Sequence, residues 1–340
     1  MITSVAISIF GECATNVDPT SRWGGFISHL RSSSHEIVPI NSPMIDHFIS
    51  IDHSKKNLKI VRSKVSSENR YLVLRESRSV KPDQFKSRNI RKYKYVFSCA
   101  RTFDEKIATH FYNDGFLLLE RHNNNSISRP EKSICLVNEN KFSLHKSANY
   151  SLRQHAIKQL IKSDFKITIA GENWKRGYSY YVMQQIKSIV FLLKNLTLFD
   201  IRKIRKPFRR IESNHCNFVG FVDNKITFMN GFRYALIIEN DNYRPTEKIF
   251  DALKAGCIPI YFGPMFAPNE VPSDIFIRID TPEGFANLIK QLKNLTEYEY
   301  VTMRARGQTW ISSDTTYDRW SIDKVMSDLS SSIKTVIFER

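Results

Sequence analysis

Residues 232–264 hold the chain's densest set of groups suited to phosphate and sugar chemistry. An apolar run, Tyr234–Ile238, ends in Glu239-Asn240; a short polar loop leads to Thr246-Glu247-Lys248 and an alanine-bearing stretch up to Gly256. The apolar run reads as a buried strand, and Thr246–Ala255 as a helix with Pro245 before it and Thr246 as its N-cap. A further strand, Ile258–Phe262, ends at Gly263-Pro264. In an open parallel sheet, ligands bind outside the carboxyl ends of the strands, and unpaired N–H groups at a helix start favour phosphate. Lys248 would then neutralise a pyrophosphate, and Glu247 would accept hydrogen bonds from a ribose diol. The plainer alternative is a buried strand followed by an ordinary surface helix, with Glu247 favouring the helix dipole.

The surrounding sequence can supply such a sheet. Short apolar runs alternate with longer helical patterns, which is the mark of an α/β chain. In the first half the expected strands are Ser4–Phe10, Tyr71–Leu74, Tyr95–Ser98 and Phe116–Leu119, with a helix at Trp23–Leu30. Residues 122–131 are polar and aperiodic and end beside Pro130, so they read as a linker. The second half restarts with strands Ser133–Val137 and Lys166–Ala170 around a helix at Ser151–Lys162. After Gly263, strand Ile275–Ile279 and helix Pro282–Leu295 follow, and the residues after Trp310 read as an amphipathic helix. The succession predicts a parallel sheet with helices on both faces.

Composition narrows the class. At 340 residues, with 41% hydrophobic and 25% charged, the chain is globular and long enough for two cores. Five scattered cysteines without a CxxC pair argue against a disulfide framework or a structural zinc site. The amino terminus has no basic residues before its apolar run and does not read as a signal peptide. The stretch Ile186–Leu198 is too short and too polar to span a bilayer. A cytoplasmic protein is expected, with peripheral contact at the inner face of a membrane still open. The net charge of +17 calls for a polyanion. Nucleic acid is one candidate, but no nucleic-acid motif accompanies the charge, so no nucleic-acid partner is expected. The run 202–210, with Arg202, Lys203, Arg205, Lys206, Arg209 and Arg210, fits weak contact with an anionic membrane. Lys86–Lys94 is a second basic stretch, suited to an anionic acceptor.

The segment at 232–264 resembles the donor-binding signature of the α-1,3-fucosyltransferase family. There a strand ending in Glu-Asn leads to Tyr-Val/Ile-Thr-Glu-Lys, an alanine-rich helix and a Pro-Val/Ile-Tyr-Trp/Phe-Gly strand. Glu239-Asn240, Thr246-Glu247-Lys248, Ala252, Gly256 and Ile258–Pro264 match it. Pro272–Asp280 resembles the family's next strand, and Ser133–Glu139 followed by Arg153 resembles the first donor-domain strand and its phosphate-binding arginine. The resemblance runs from Ser133 to Asp280 and implies a GT-B fold, two Rossmann-like domains facing across a cleft. The implied domains are 1–128 on the acceptor side, 129–315 for the sugar nucleotide, and a helix in 316–340 returning to the first domain.

What the resemblance implies for function is an inverting glycosyltransferase that moves fucose from GDP-fucose to a glycan hydroxyl. Lipopolysaccharide, O-antigen or another lipid-linked glycan is the expected acceptor. The implied donor-binding residues are Arg153, Glu239, Asn240, Tyr243, Arg244, Thr246, Glu247 and Lys248. A general base must take the acceptor's proton. The family uses a glutamate at a strand end, and the positional match is Glu76 after Tyr71–Leu74, with Arg75 and Arg78 beside it to keep it ionised. Glu12, after the first strand, is the reserve. The chain has no Asp-x-Asp motif, so neither a metal nor an obligatory cofactor is expected. Two departures touch the donor pocket. Arg244 stands where the family has a tyrosine, with Tyr243 one step earlier, and the loop between Asn240 and Thr246 is short. A different nucleotide sugar on the same fold is therefore the alternative reading.

Overall fold

The computed structural model describes residues 3–18, 20–31, 35–100, 110–111, 133–176, 178–195, 216–266 and 269–338. The expected strand Phe116–Leu119, the linker 122–131 and the basic run 202–210 lie outside them. The chain forms two compact units: Met1–Leu119 with Asp318–Arg340, and Glu120–Tyr317.

The first unit is built on strands β1 (Thr3–Ile9), β2 (Glu12–Cys13), β3 (His35–Val38), β4 (His47–Ile51), β5 (Arg70–Leu74), β6 (Tyr95–Ser98) and β7 (His110–Phe111). All pair in parallel except β2, which turns back on β1. The spatial order is β2-β1-β4-β5-β6-β7, with β3 also on β1. Helices α1 (Arg22–Leu30), α2 (Lys55–Val61) and α3 (Ser87–Ile90) belong to this unit. Phe48, Leu72, Leu74 and Val96 carry one face of the core against Leu58 and Val61 of α2.

The second unit has β8 (Ser133–Val137), β9 (Lys166–Ala170), β10 (Cys216–Gly220), β11 (Tyr234–Ile238), β12 (Ile258–Phe262) and β13 (Ile277–Arg278), all parallel. Their order, β10-β9-β8-β11-β12-β13, is the doubly wound order of dinucleotide-binding sheets. Helices α4 (Tyr150–Leu160), α5 (Tyr178–Asn195), α6 (Lys225–Met229), α7 (Lys248–Lys254), α8 (Gly284–Asn294) and α9 (Glu297–Ser312) belong to this unit, and the boundary between the units falls within α10 (Asp314–Trp320). Alternate residues of four strands (Ile134 and Leu136, Ile167 and Ile169, Leu236 and Ile238, Ile258 and Ile260) pack beneath Ile157, Leu160, Phe285 and Leu288. That alternation explains why these strands read as continuous apolar runs: both faces are covered.

The terminal helix α11 (Ile322–Phe338) lies on α1, where Ser330 Oγ donates to Phe26 O and His29 Nε2 meets Asp323 Oδ1 at 2.9 Å. Several expected boundaries move. Ile275–Ile279 is a strand only at Ile277–Arg278, because a 3-10 turn takes Ser273–Ile275. The helix expected from Pro282 begins at Gly284. Strands β3 and β4 and helices α2 and α6 were not anticipated, being short and flanked by charged residues that hide their period.

Candidate functional site

In the second unit the strand order reverses between β8 and β11, so the loops leaving these strands part and open a crevice at their carboxyl ends. Glu239 is the first residue past β11. Its N–H donates to Phe262 O at 2.9 Å, and it is fully buried. A buried carboxylate survives only when paired and hydrogen-bonded. Glu239 accepts from Thr246 N at 2.7 Å, from Thr246 Oγ1, and from Lys248 Nζ at 2.7 Å. The Thr246 hydroxyl in turn accepts from Lys248 Nζ at 2.7 Å.

This corrects one sequence reading. Thr246 does not cap α7; its side chain is engaged by Glu239, the helix starts at Lys248, and Glu247 occupies the cap position without a side-chain cap bond. The seven-residue α7 is a weak source of helix dipole, so positive charge at the crevice comes from side chains, Lys248 and Lys225, more than from the helix. The glycine after β12 has a matching reason. A Cβ on Gly263 would stand 2.6 Å from Glu239 Cγ and 2.7 Å from the Tyr261 hydroxyl.

Arg153, on the second turn of α4, is 2% exposed. Its guanidinium donates to Glu139 O at 3.1 Å, Ile238 O at 3.3 Å and Asn240 Oδ1 at 2.8 Å. Burial pushes it down to about 10, so it remains a cation at neutral pH. Arg153, the residue that matches the family's phosphate-binding arginine, lies under the crevice and ties the exits of β8 and β11 together. Asn240 is part of the same tie: its carbonyl accepts from Asn149 N at 2.8 Å, at the start of α4. Tyr243 and Arg244 sit on the half-buried loop 241–245, where Tyr243 N donates to Asp241 Oδ1 and Arg244 Nη1 to Pro245 O.

A cavity of about 330 Å³ opens beside Lys248. Its floor is the sheet face left by Cys135, Ala235 and Ile237, and its rim carries Glu139, Phe221 and Asp251. Gly171, at φ +124°, is required here, since a Cβ would come 2.2 Å from Asn138 O. Glu247 lies 3.8 Å from Lys225. Burial would raise its carboxyl, but Lys248, its own backbone and Lys225 hold it below the ordinary range, so it is an ionised acceptor. Asp251, one turn on, is pushed up to about 6 by burial, with Lys225 3.9 Å away. Phe221, Lys225 and Asp251 escaped the sequence reading. Asp251 was findable from its four-residue spacing to Glu247, whereas Phe221 and Lys225 come from a strand–helix turn with no local signal.

In the first unit the order reverses between β1 and β4. Glu76, past β5, is half-buried, and its backbone is held at both ends: its N–H donates to Asp52 Oδ1 at 3.0 Å, and its carbonyl accepts from Gln84 Nε2 at 2.6 Å. Asp52 is fully buried at φ +56° and also accepts from Arg75 N at 2.8 Å. The Arg75 guanidinium lies 5.8 Å from the Phe10 ring centre and that of Arg78 lies 5.1 Å from Phe85, so both rest on aromatic faces. Glu12 is exposed on β2, after the Phe10-Gly11 turn, in which both residues have positive φ. Among the described residues no group of three His, Cys, Asp or Glu side chains is placed to hold a metal ion.

No protein-family model matches the chain. A protein of Arabidopsis thaliana described as fucosyltransferase-like is 32% identical over 108 residues, which is 30% of this chain and 21% of that protein's length. Among solved structures, the Anabaena protein HepE in complex with UDP is similar at TM-score 0.57 and 10% identity over 98% of this chain and 100% of that one. An α1,3-fucosyltransferase is similar at TM-score 0.53 and 14% identity over 98% and 90%. A glycosyltransferase from Rickettsia africae is similar at TM-score 0.53 and 8% identity over the whole of both chains. At such identities the likeness is one of architecture, and the architecture, two mostly parallel α/β sheets, is that of the GT-B glycosyltransferases.

Proposed function

We propose that the protein is an inverting glycosyltransferase that takes its sugar from a nucleotide donor, with GDP-fucose as the favoured donor and a glycan hydroxyl as acceptor. The observation that carries this reading is the Glu239–Thr246–Lys248 cluster, set beside a cavity of about 330 Å³ at the strand-order reversal of the second unit. Among the described residues, two of the three Lys248 N–H groups are used within the cluster, which leaves one for a phosphate oxygen. Glu247 accepts from the ribose hydroxyls, and Phe221, 73% exposed on the rim, offers a face for the base. Arg153 adds positive charge from below, while the loop of Tyr243 and Arg244 borders the sugar.

In the transfer, the acceptor oxygen forms a bond to the sugar's anomeric carbon as the bond from that carbon to the diphosphate breaks. The electron pair leaves with the nucleoside diphosphate, whose charge Lys248 stabilises. The acceptor's proton goes to a carboxylate, which we assign to Glu76, with Glu12 in reserve. A UDP-sugar donor is the second reading, favoured by the short loop 241–245 and by the UDP and UDP-glucose held by the similar Anabaena protein.

Thermal unfolding with GDP, UDP, CDP and ADP, each with and without its common sugars, tests the proposal. A nucleotide at about 100 times its Kd adds about 2.7 kcal/mol. GDP and GDP-fucose are expected to stabilise the protein; stabilisation by UDP alone replaces the fucose reading with the second one. No response to any nucleotide overturns the donor site.

A further inference from the structure

Helix α5 presents an apolar stripe to solvent. Met183, Ile186, Val190 and Leu193 follow one another at the three- and four-residue steps that place side chains on one helix face. They are 52%, 49%, 43% and 62% exposed. Ile189, 38% exposed, widens the stripe on the side of Leu193. The opposite face is the one that packs: Leu192 is buried, and buried Ser188 accepts from Leu144 N at 2.9 Å. A run of exposed apolar side chains about 15 Å long is uncommon on a soluble surface and marks an interaction face.

The charges beside the stripe select its partner. Lys187 and Lys194 are exposed and lie one turn from Met183 and Val190, so they line the other edge of the stripe. No Asp or Glu occurs anywhere in Tyr178–Asn195. In sequence the helix leads toward the basic run 202–210. A second copy of the chain docking stripe to stripe would bring lysines against lysines, which opposes self-pairing. An anionic surface with an apolar interior satisfies both features. No described helix is long and apolar enough to cross a membrane, so the helix would lie in the interface plane.

We infer that α5 is a membrane-docking helix that seats Met183, Ile186, Val190 and Leu193 in the acyl boundary of an anionic bilayer, with Lys187 and Lys194 at the headgroups. The inference is independent of the donor chemistry proposed above.

The test is co-sedimentation of the full chain with phosphatidylcholine vesicles, alone or with about one third phosphatidylglycerol. The wild-type protein is expected to pellet with the anionic vesicles, and less so at high salt. The variant Met183→Gln/Ile186→Gln/Val190→Gln/Leu193→Gln should lose about tenfold or more in partitioning while keeping its thermal midpoint and its response to nucleotides. Equal binding of wild type and variant, or equal binding to neutral and anionic vesicles, overturns the inference. Two other results also overturn it. A dimer seen by sedimentation without lipid and abolished in the variant assigns the stripe to a second copy. A large drop in thermal midpoint assigns it to a covering segment of the chain itself.

Discussion

The two units solve one physical problem in opposite ways. Each has a strand-order reversal, and each buries a carboxylate just past a strand next to it: Asp52 after β4 and Glu239 after β11. Glu239 is neutralised by a cation, with Lys248 Nζ 2.7 Å away and both carboxylate oxygens occupied. Asp52 has backbone donors instead, from Arg75 and Glu76, and its Oδ2 has no hydrogen-bond partner among the described residues. It also sits at positive φ, as does Phe10 on the neighbouring strand exit, a conformation that costs a non-glycine residue about 1 kcal/mol or more. A charge-paired carboxylate fixes side chains, here Thr246 and Lys248. A backbone-paired one fixes the main chain of its neighbour, here Glu76.

The comparison breaks hardest at Lys248. Lys248→Ala removes the cation proposed for the donor and strands Glu239, so we expect nucleotide stabilisation to vanish and unfolding to occur with about 3–5 kcal/mol less stability. These losses are separable. The double variant Glu239→Gln/Lys248→Met should recover most of the stability in calorimetry and none of the nucleotide response. Recovery of both would mean that the cluster is scaffolding and that the phosphate binds elsewhere.

In the first unit the corresponding change acts on chemistry more than on binding. Glu76→Gln should lower kcat by about 10²–10⁴ with donor KM little altered, as removal of a general base does. Asp52→Ala should lower kcat in the same direction by a smaller factor, because Glu76 keeps its carboxylate but loses one tie on its backbone. If Glu76→Gln transfers sugar at the wild-type rate, the base lies elsewhere, with Glu12 next to be replaced.

The two crevices should also respond to pH with opposite sign. Burial, with Lys92 adding, pushes His53 beside Asp52 down to about 4, below its ordinary 6.5. The native state then binds fewer protons than the unfolded chain between those values, so this contribution is full above pH 6.5 and lost as pH falls toward 4. Asp251 is pushed up to about 6 from 3.8, so its native state holds protons that the unfolded chain has released. Its contribution is full below about 3.8 and lost as pH rises through 6. Each is worth at most about 3 kcal/mol. Denaturant unfolding from pH 4 to 8 should show Asp251→Asn stabilised above pH 6, and His53→Gln flattened between 4 and 6.5. Parallel curves for wild type and both variants would refute these assignments.

The sequence carried the second unit far better than the first. Its strands are buried on both faces and therefore read as unbroken apolar runs, and Glu239, Asn240 and Lys248 are close in the chain, so their convergence needed only one strand–loop–helix unit. What it missed there came through tertiary packing: the burial of Arg153 follows from the approach of α4 to β11, and Phe221 and Lys225 reach the cavity from a distant turn. In the first unit Glu76 was visible only as a charge at a strand end. The side chains that tie its backbone, Asp52 and Gln84, lie 24 and 8 residues away in the chain and carry no periodic signal. Thr246 shows a different limit. Its type suits an N-cap, but the buried Glu239 competes for the same hydroxyl and wins, since leaving that carboxylate unsatisfied costs more than an uncapped helix.

The smallest expected effect sharpens the contrast at two glycines. Gly263 faces Glu239 and the Tyr261 ring, with the nearest side-chain atoms 2.6 to 2.9 Å from where a Cβ would be. The tyrosine ring and the locked glutamate cannot give way easily, so Gly263→Ala should cost about 1–3 kcal/mol, as overpacking does. Gly25, inside α1 of the first unit, has nothing within 4 Å of its Cβ position. There the alanine meets open space and gains helix propensity, so Gly25→Ala should stabilise by up to about 1 kcal/mol. Denaturant midpoints of the two variants, measured side by side, check both signs at once. A neutral Gly263→Ala would show that the Glu239 cluster can shift to admit a methyl group, and a pocket so yielding would lose its claim to hold a donor in one orientation.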